Sequence, residues 1–277
     1  MKTTILLITI AAAACGKSKD SKQESPPPAK GAEAPPTDPT PVEPAKPAAA
    51  IPDLIKTATD AAQSADARRT ALEELGKRKD ASAGMPLFEA ARTEKDFILR
   101  GELFRAAGQS GGEAVDKAML EHYASKESEE HRTEMRTGLR ELDRAKVFAF
   151  AAERFAKAGK MQVEIADLVI DTDGNGDQAK VVELLGKSKD RMASHRLARV
   201  AVKLGATDQL KVLIDGLGSK DEYDRADAAN MLAEVVDAIP ADRRAEVVEL
   251  VKAARAKDQG GLTSSGYDAI LEKLGSQ

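Results

Sequence analysis

Two residue patterns recur along this chain at a spacing of roughly 30–35 residues, a period that marks a stacked array of helical hairpins. In the first, an arginine is followed at helical spacing by apolar residues. Arg69 precedes Leu72 and Leu75, Arg100 precedes Leu103 and Ala106, Arg136 precedes Leu139 and Leu142, and Arg225 precedes Ala228 and Met231. Arg196 leads Val200 and Leu204 more loosely, and one member is missing where the segment from Gln162 to Ile170 lacks the arginine. In the second pattern, Ala145-Lys146-Val147, Ala179-Lys180-Val181, Leu210-Lys211-Val212 and Ala245-Glu246-Val247 each open an apolar run. Val181, Val182, Leu184 and Leu185 share one helical face, and Asp190 and Asp221 suit helix N-caps after glycine-containing turns. One hairpin cannot bury its own apolar face, so neighbours must stack to make a continuous core. Composition agrees, with 42% hydrophobic residues, only 3% aromatics and no Trp: small aliphatic side chains let helices approach closely. The expected fold is all-α, an α-solenoid of about six helical hairpins over residues 51–277 with a leftover last helix.

What precedes the array has a different composition. Residues 16–50 hold most of the 12 prolines, including Pro26-Pro27-Pro28 and Pro35-Pro36, with Val42 the only larger apolar residue. Such a segment cannot bury enough apolar surface to offset its ordering entropy, and its prolines favour extended conformations. It is expected to be a disordered tether, spanning ~30–35 Å as a coil. Before it, Met1 to Ala14 reads as Lys2, an apolar run from Ile5 to Ile10, and then small residues. That is the layout of a secretory signal, too short for the ~20 apolar residues of a membrane-spanning helix. It ends at Cys15, the one cysteine of the 277 residues.

Ala12-Ala13-Ala14-Cys15 resembles the lipobox of bacterial lipoproteins, whose usual Leu three places before the cysteine is Ala12 here. The resemblance implies a signal peptide over 1–14, lipid attachment (palmitate among the acyl chains) at Cys15, and a linker over 15–50. It also implies the outer membrane, because Gly16 stands where an inner-membrane lipoprotein carries Asp. Over roughly Asp53 to Gly275, the Arg-led helices ending in Leu-Gly, as in Leu75-Gly76 and Leu204-Gly205, resemble HEAT-like repeats. The Trp, Gly, Tyr and Pro landmarks of tetratricopeptide repeats are absent.

Chemistry-bearing motifs are sparse. Asp171, Asp173, Asn175 and Gly176 match the first, third, fifth and sixth places of an EF-hand calcium loop. The twelfth place, which needs a bidentate carboxylate, is Val182, and Glu183 comes one residue late. The alternative is a turn between helices, where Asp, Asn and Gly are favoured for their own reasons. His122, His131 and His195 lack partners at zinc-ligand spacing and read as surface or partly packed residues. No nucleophile motif appears, so no enzyme is expected, and calcium is the only cofactor in view. The 42 basic and 46 acidic residues give no concentrated basic field, which argues against nucleic acid. Lys146, Lys180 and Lys211 occupy matching places in successive second helices. Second helices often line a solenoid's concave face, so these lysines form a candidate column for an acidic protein or an anionic glycan, or else cover the apolar layer with their stems. The expectation is a membrane-anchored lipoprotein acting as a non-catalytic scaffold for an envelope protein or glycan. The alternatives are a calcium-binding or enzymatic module and a purely structural lipoprotein.

Overall fold

The computed structural model describes residues 49–258 and 264–275. The signal, Cys15 and the tether up to residue 48 lie outside the described residues. Among those described there are fourteen α-helices and no strand. In order they are α1 Ile51–Thr59, α2 Ala65–Arg78, α3 Ala81–Thr93, α4 Phe97–Ser110, α5 Glu113–Tyr123, α6 Arg132–Leu139, α7 Arg144–Phe155, α8 Gln162–Asp171, α9 Gln178–Gly186, α10 Arg191–Lys203, α11 Leu210–Gly216, α12 Glu222–Ala233, α13 Arg244–Lys257 and α14 Ser264–Gly275. No helix among them is long and apolar enough to cross a membrane.

Local chemistry sets where the helices begin. The side chains of Ser64, Asp80, Asp96, Asp143, Asp177, Asp190 and Asp221 each accept a hydrogen bond from an amide in the first turn that follows. Each cap satisfies an otherwise orphaned donor and contributes about 1 kcal/mol. Asp190 and Asp221 are thus caps, as their position after glycine turns implies.

Each odd-numbered helix packs against the even-numbered helix that follows it, and even helices also pack against even ones: α2 on α4, α4 on α6, α8 on α10, α10 on α12 and α12 on α14. Odd helices touch their like neighbours far less. The phase of the array therefore differs from the sequence expectation. Hairpins run odd to even, α1 is the first partner of α2, and α14 completes a final hairpin rather than being left over. The core follows this layering. One cluster of buried side chains runs from Ala58 through Phe104, Tyr123 and Phe155 to Ala206, and a second runs from Ala198 to Leu274. They meet in α10, which gives Leu197 and Val200 to the first and Ala198 and Val202 to the second.

Candidate functional site

The even helices are joined by polar side chains that recur once per repeat. Arg68 donates through Nε to Ala58 O at 3.0 Å and through Nη2 to Glu94 at 2.5 Å. Arg100 donates to Glu94 O at 3.3 Å and pairs with Glu134. Arg132 donates to Ser125 O and to Glu164, both at 3.1 Å. Arg225 donates to Ser219 O at 2.7 Å and pairs with Asp258. Each of these arginines sits early in an even helix. One arm holds a backbone carbonyl at the end of the preceding odd helix or in the turn that follows it, and the other reaches a carboxylate further along the array. Guanidinium suits this work because its donors point in several fixed directions.

Gln162 fills the place where the sequence pattern has no arginine. It is 2% exposed. Its Nε2 donates to Phe155 O at 3.4 Å, and its Oε1 accepts from the amides of Lys189 and Asp190 at 2.8 and 3.2 Å. A neutral amide thus spans the same two elements. The true register is Arg68, Arg100, Arg132, Gln162, His195 and Arg225, and it differs by one residue or one helical turn from the expected Arg69 and Arg136.

A second series alternates in sign. Arg136 on α6 donates to Asp167 on α8 at 3.1 Å, Arg196 on α10 donates to the same carboxylate at 2.7 Å, and Arg196 also meets Asp227 on α12 at 3.2 Å. The helices share this alternation. α8 carries Glu164, Asp167 and Asp171 with no Lys or Arg, whereas α10 carries Arg191, Arg196, Arg199 and Lys203 with no Asp or Glu. The acidic α8 therefore attracts both α6 and α10, and the basic α10 attracts α12.

The calcium-like segment belongs to this ionic framework. Asp171 ends α8 and accepts from Arg136 at 2.8 and 2.9 Å and from Arg140 at 2.9 and 3.1 Å. Asp173 accepts from Arg144 at 2.8 Å and Lys203 at 3.0 Å. Those partners hold its carboxyl below the ordinary range, Lys203 contributing most and outweighing the burial that opposes it. Asn175 is exposed. The two carboxylates turn outward to separate cations instead of converging, and no group of three His, Cys, Asp or Glu among the described residues could hold a metal ion. Asp171 and Asp173, the candidate calcium ligands alongside Asn175, are thus brought to separate partners, as in the alternative reading of a turn between helices. The residue types answer to the backbone: Asp173, Gly174, Asn175 and Gly176 all have positive φ, at 47°, 59°, 48° and 75°, a region that Gly and Asn tolerate best.

The lysine column is divided. Lys146 donates to Asp116 on α5 at 2.9 Å, and that bond raises its pKa. Lys180 donates to Glu183 in its own helix at 2.9 Å. Lys211 is exposed and has no ion-pair partner among the described residues. Two of the three expected partner-binding cations are thus engaged within the chain.

The histidines are less peripheral than the sequence implies. His122 and His131 face each other with Nε2 atoms 3.0 Å apart, between the rings of Phe88 and Phe104. Burial lowers both pKa values, helped by Arg92 at His122 and by Arg100 at His131. His195 is buried at 4% exposure and hydrogen-bonds Asp227. It lies at the edge of a cleft of about 730 Å³ between α10, α11 and the start of α12. A second cleft, of about 610 Å³, opens between α2 and α4 and is lined by Arg69, Lys77 and Arg105 together with Asp66, Glu73 and Glu102. Its charges balance, and Arg69 is already paired with Glu102.

No family model matches the chain, no curated protein matches it, and no solved structure matches it. The sequence places Gln162 at the missing member and reads His195 as partly packed without assigning either a role, and the repeat register is the signal that finds one: both stand where an arginine stands in other repeats.

Proposed function

We propose that this chain is a lipid-anchored α-solenoid of HEAT-like type that serves as a non-catalytic binding scaffold in the bacterial envelope. The observation that supports it is the row of even helices, in which a side chain near the start of a helix reaches a carboxylate of the next even helix, as Arg100 and Arg132 do, or of the turn just before it, as Arg68 and Arg225 do. Such a row extends by addition of like units, so its surface grows with repeat number and suits long partners. Most even helices contact one another more extensively than the odd ones do, which supports a reading in which the even helices line the inner side. The lysines of α7, α9 and α11 then fall on the outer side. The short apolar start, the small residues and Cys15 support lipid attachment, and the proline-rich residues 16–50 support a tether between membrane and array. In this reading the array stands clear of the outer membrane on its tether and holds an envelope protein or glycan near it.

A purely structural lipoprotein is the second reading, and the internally paired, mixed-sign surface favours it. Crosslinking and pull-down from envelope fractions with the native anchor retained separate the two. A specific partner lost on disrupting the even-helix surface supports the scaffold, whereas recovery of the chain alone supports the structural role. Labelling with a lipid precursor tests the anchor, because incorporation that persists in Cys15→Ala would remove it.

A further inference from the structure

The turn between α8 and α9 holds a reactive group that the ionic framework does not engage. Its two acids are taken: Asp171 by Arg136 and Arg140, and Asp173 by Arg144 and Lys203. Asn175 is exposed, its side chain makes no hydrogen bond among the described residues, and Gly176 follows it. An asparagine amide is a neutral electrophile, and the backbone nitrogen of the next residue stands one ring closure away from its Cγ. Glycine hinders that closure least, because it has no Cβ and turns freely. The nitrogen must swing over the side chain, a rotation about ψ away from the observed 27°. Residues 175–177 are exposed, and a Cβ placed on Gly176 would meet nothing within 4 Å, so no neighbour at Gly176 opposes the motion. Asn175 already sits at a φ of 48°, a region that costs a side-chain-bearing residue energy, so leaving it also relieves strain.

The chain contains two internal controls. Asn230 is the other asparagine of the 277 residues. It lies inside α12, half-buried, and Met231 follows it. Its Oδ1 is packed so closely on Gly266 that a Cβ there would come within 2.5 Å. A helix holds ψ in one well, so the same rotation would break α12. Asp173 precedes Gly174 in the same turn as Asn175, but Lys203 and Arg144 keep its carboxyl ionised, and a carboxylate resists nucleophilic attack. Gly174 is also held in place: a Cβ on it would lie 2.5 Å from Val181 Cγ2 and 3.1 Å from Val200 Cγ1. Of these three positions only Asn175 combines a neutral amide, an unencumbered glycine and room to turn.

We propose that Asn175 is a site of spontaneous deamidation whose conversion loosens the junction between α8 and α9. The Gly176 amide gives its proton to hydroxide and its nitrogen bonds to Asn175 Cγ. The Cγ–Nδ2 bond breaks, and the departing nitrogen takes a proton from water to leave as ammonia. Water then opens the five-membered imide. Cleavage of the new N–Cγ bond leaves aspartate, whereas cleavage of the bond from nitrogen to the main-chain carbonyl leaves isoaspartate, with the main chain running through Cβ. Nothing is oxidised or reduced. Isoaspartate lengthens the main chain by a methylene one residue after Gly174, whose packing on Val181 and Val200 leaves no slack. The site is independent of the lipid anchor and of any partner. To test it, the full chain is incubated at pH 8 and 37 °C, folded or in guanidinium chloride, and its peptides are mapped by mass spectrometry for replacement of NH2 by OH, with electron-transfer fragmentation to tell isoaspartate from aspartate. Asn175 in the folded chain should convert within about tenfold of its unfolded rate, giving both products, while Asn230 stays intact. Gly176→Ala, compared in guanidinium so that folding plays no part, should slow the conversion about tenfold. The converted fraction, separated by its added negative charge, should exchange the amide hydrogens of α9 faster than fresh protein. A folded rate below that range, equal conversion of Asn230, a product without isoaspartate, an unchanged rate in Gly176→Ala, or unchanged exchange in α9 would each overturn the proposal.

Discussion

Replacing Gln162 with Met keeps the length of the side chain and deletes both of its polar ends. In the native chain those ends satisfy three backbone groups: the part-buried amides of Lys189 and Asp190 and the buried carbonyl of Phe155. The carbonyl bond, at 3.4 Å, is longer than the usual range and carries little weight. The two amides dominate, and a buried donor left without a partner costs ~1–3 kcal/mol. Both amides are only part-buried, and water and local relaxation return part of this, so the expected loss is about 1–2 kcal/mol. The methionine fills most of the space, which keeps a cavity term out of the figure. Urea unfolding gives the global value. Long repeat arrays need not unfold in one step, so native-state hydrogen exchange is the sharper assay. Protection should fall at Lys189 and Asp190 by about tenfold for each 1.4 kcal/mol lost, and amides in α1 to α4 should be unaffected. A variant within ~0.5 kcal/mol of the parent, the spread of ordinary surface changes, with both amides still protected would refute the claim that Gln162 does the work of the repeat arginine.

Three further outcomes follow from the same framework. Asp167→Asn strips the shared partner from Arg136 and Arg196; because these groups are partly exposed, the expected loss in urea unfolding is about 2–3 kcal/mol, below the 3–5 of a fully buried pair. Gly174→Ala meets a φ of 59° and places Cβ 2.5 Å from Val181 Cγ2, so the melting temperature should drop by the equivalent of ~2–3 kcal/mol, whereas Gly186→Ala, with open space around it, should not lower it. His122 and His131 have folded pKa values below the unfolded value, so the unfolded chain binds the extra protons. Stability from the pair is therefore complete above pH ~6.5 and declines as pH falls below that towards the folded values; urea midpoints taken from pH 8 down to pH 5 should show this slope, and the double variant to Gln should flatten it.

The array was legible because its period is carried by residue type: arginine, then leucine or alanine at helical spacing. Its phase was not. Arg68 and Arg69 are adjacent, and Arg132 and Arg136 lie one helical turn apart on nearly the same face, so periodicity alone cannot say which one reaches the carbonyl of the preceding helix. Gln162 escaped because an amide that accepts from two backbone donors has no sequence signature. The Asp171–Asp177 turn shows the converse difficulty. Asp and Gly at alternating places satisfy both a calcium loop and a left-handed turn, and the spatial partners decide between them: Arg136, Arg140, Arg144 and Lys203, none within the loop. The contact of His122 with His131 depends on the turn at Lys126–Ser128, which brings the end of α5 back to the start of α6 without any repeating spacing.

The alternation of charge along the even helices also bears on where recognition can occur. Arg136, Asp167, Arg196 and Asp227 neutralise one another in sequence, and Asp171 and Asp173 engage three more cations, Arg140, Arg144 and Lys203, with Asp171 also sharing Arg136. A surface so paired projects little net field and offers few free donors or acceptors to a partner. It ties α6, α8, α10 and α12 to one another instead, since Asp167 pairs with an arginine on each side. Binding then has to come from positions that the framework leaves unfilled. Consistent local chemistry holds a fold together, and departures from it are the places to look for function. Disrupting the paired row should therefore change stability and the order of the helices before it changes capture of any partner.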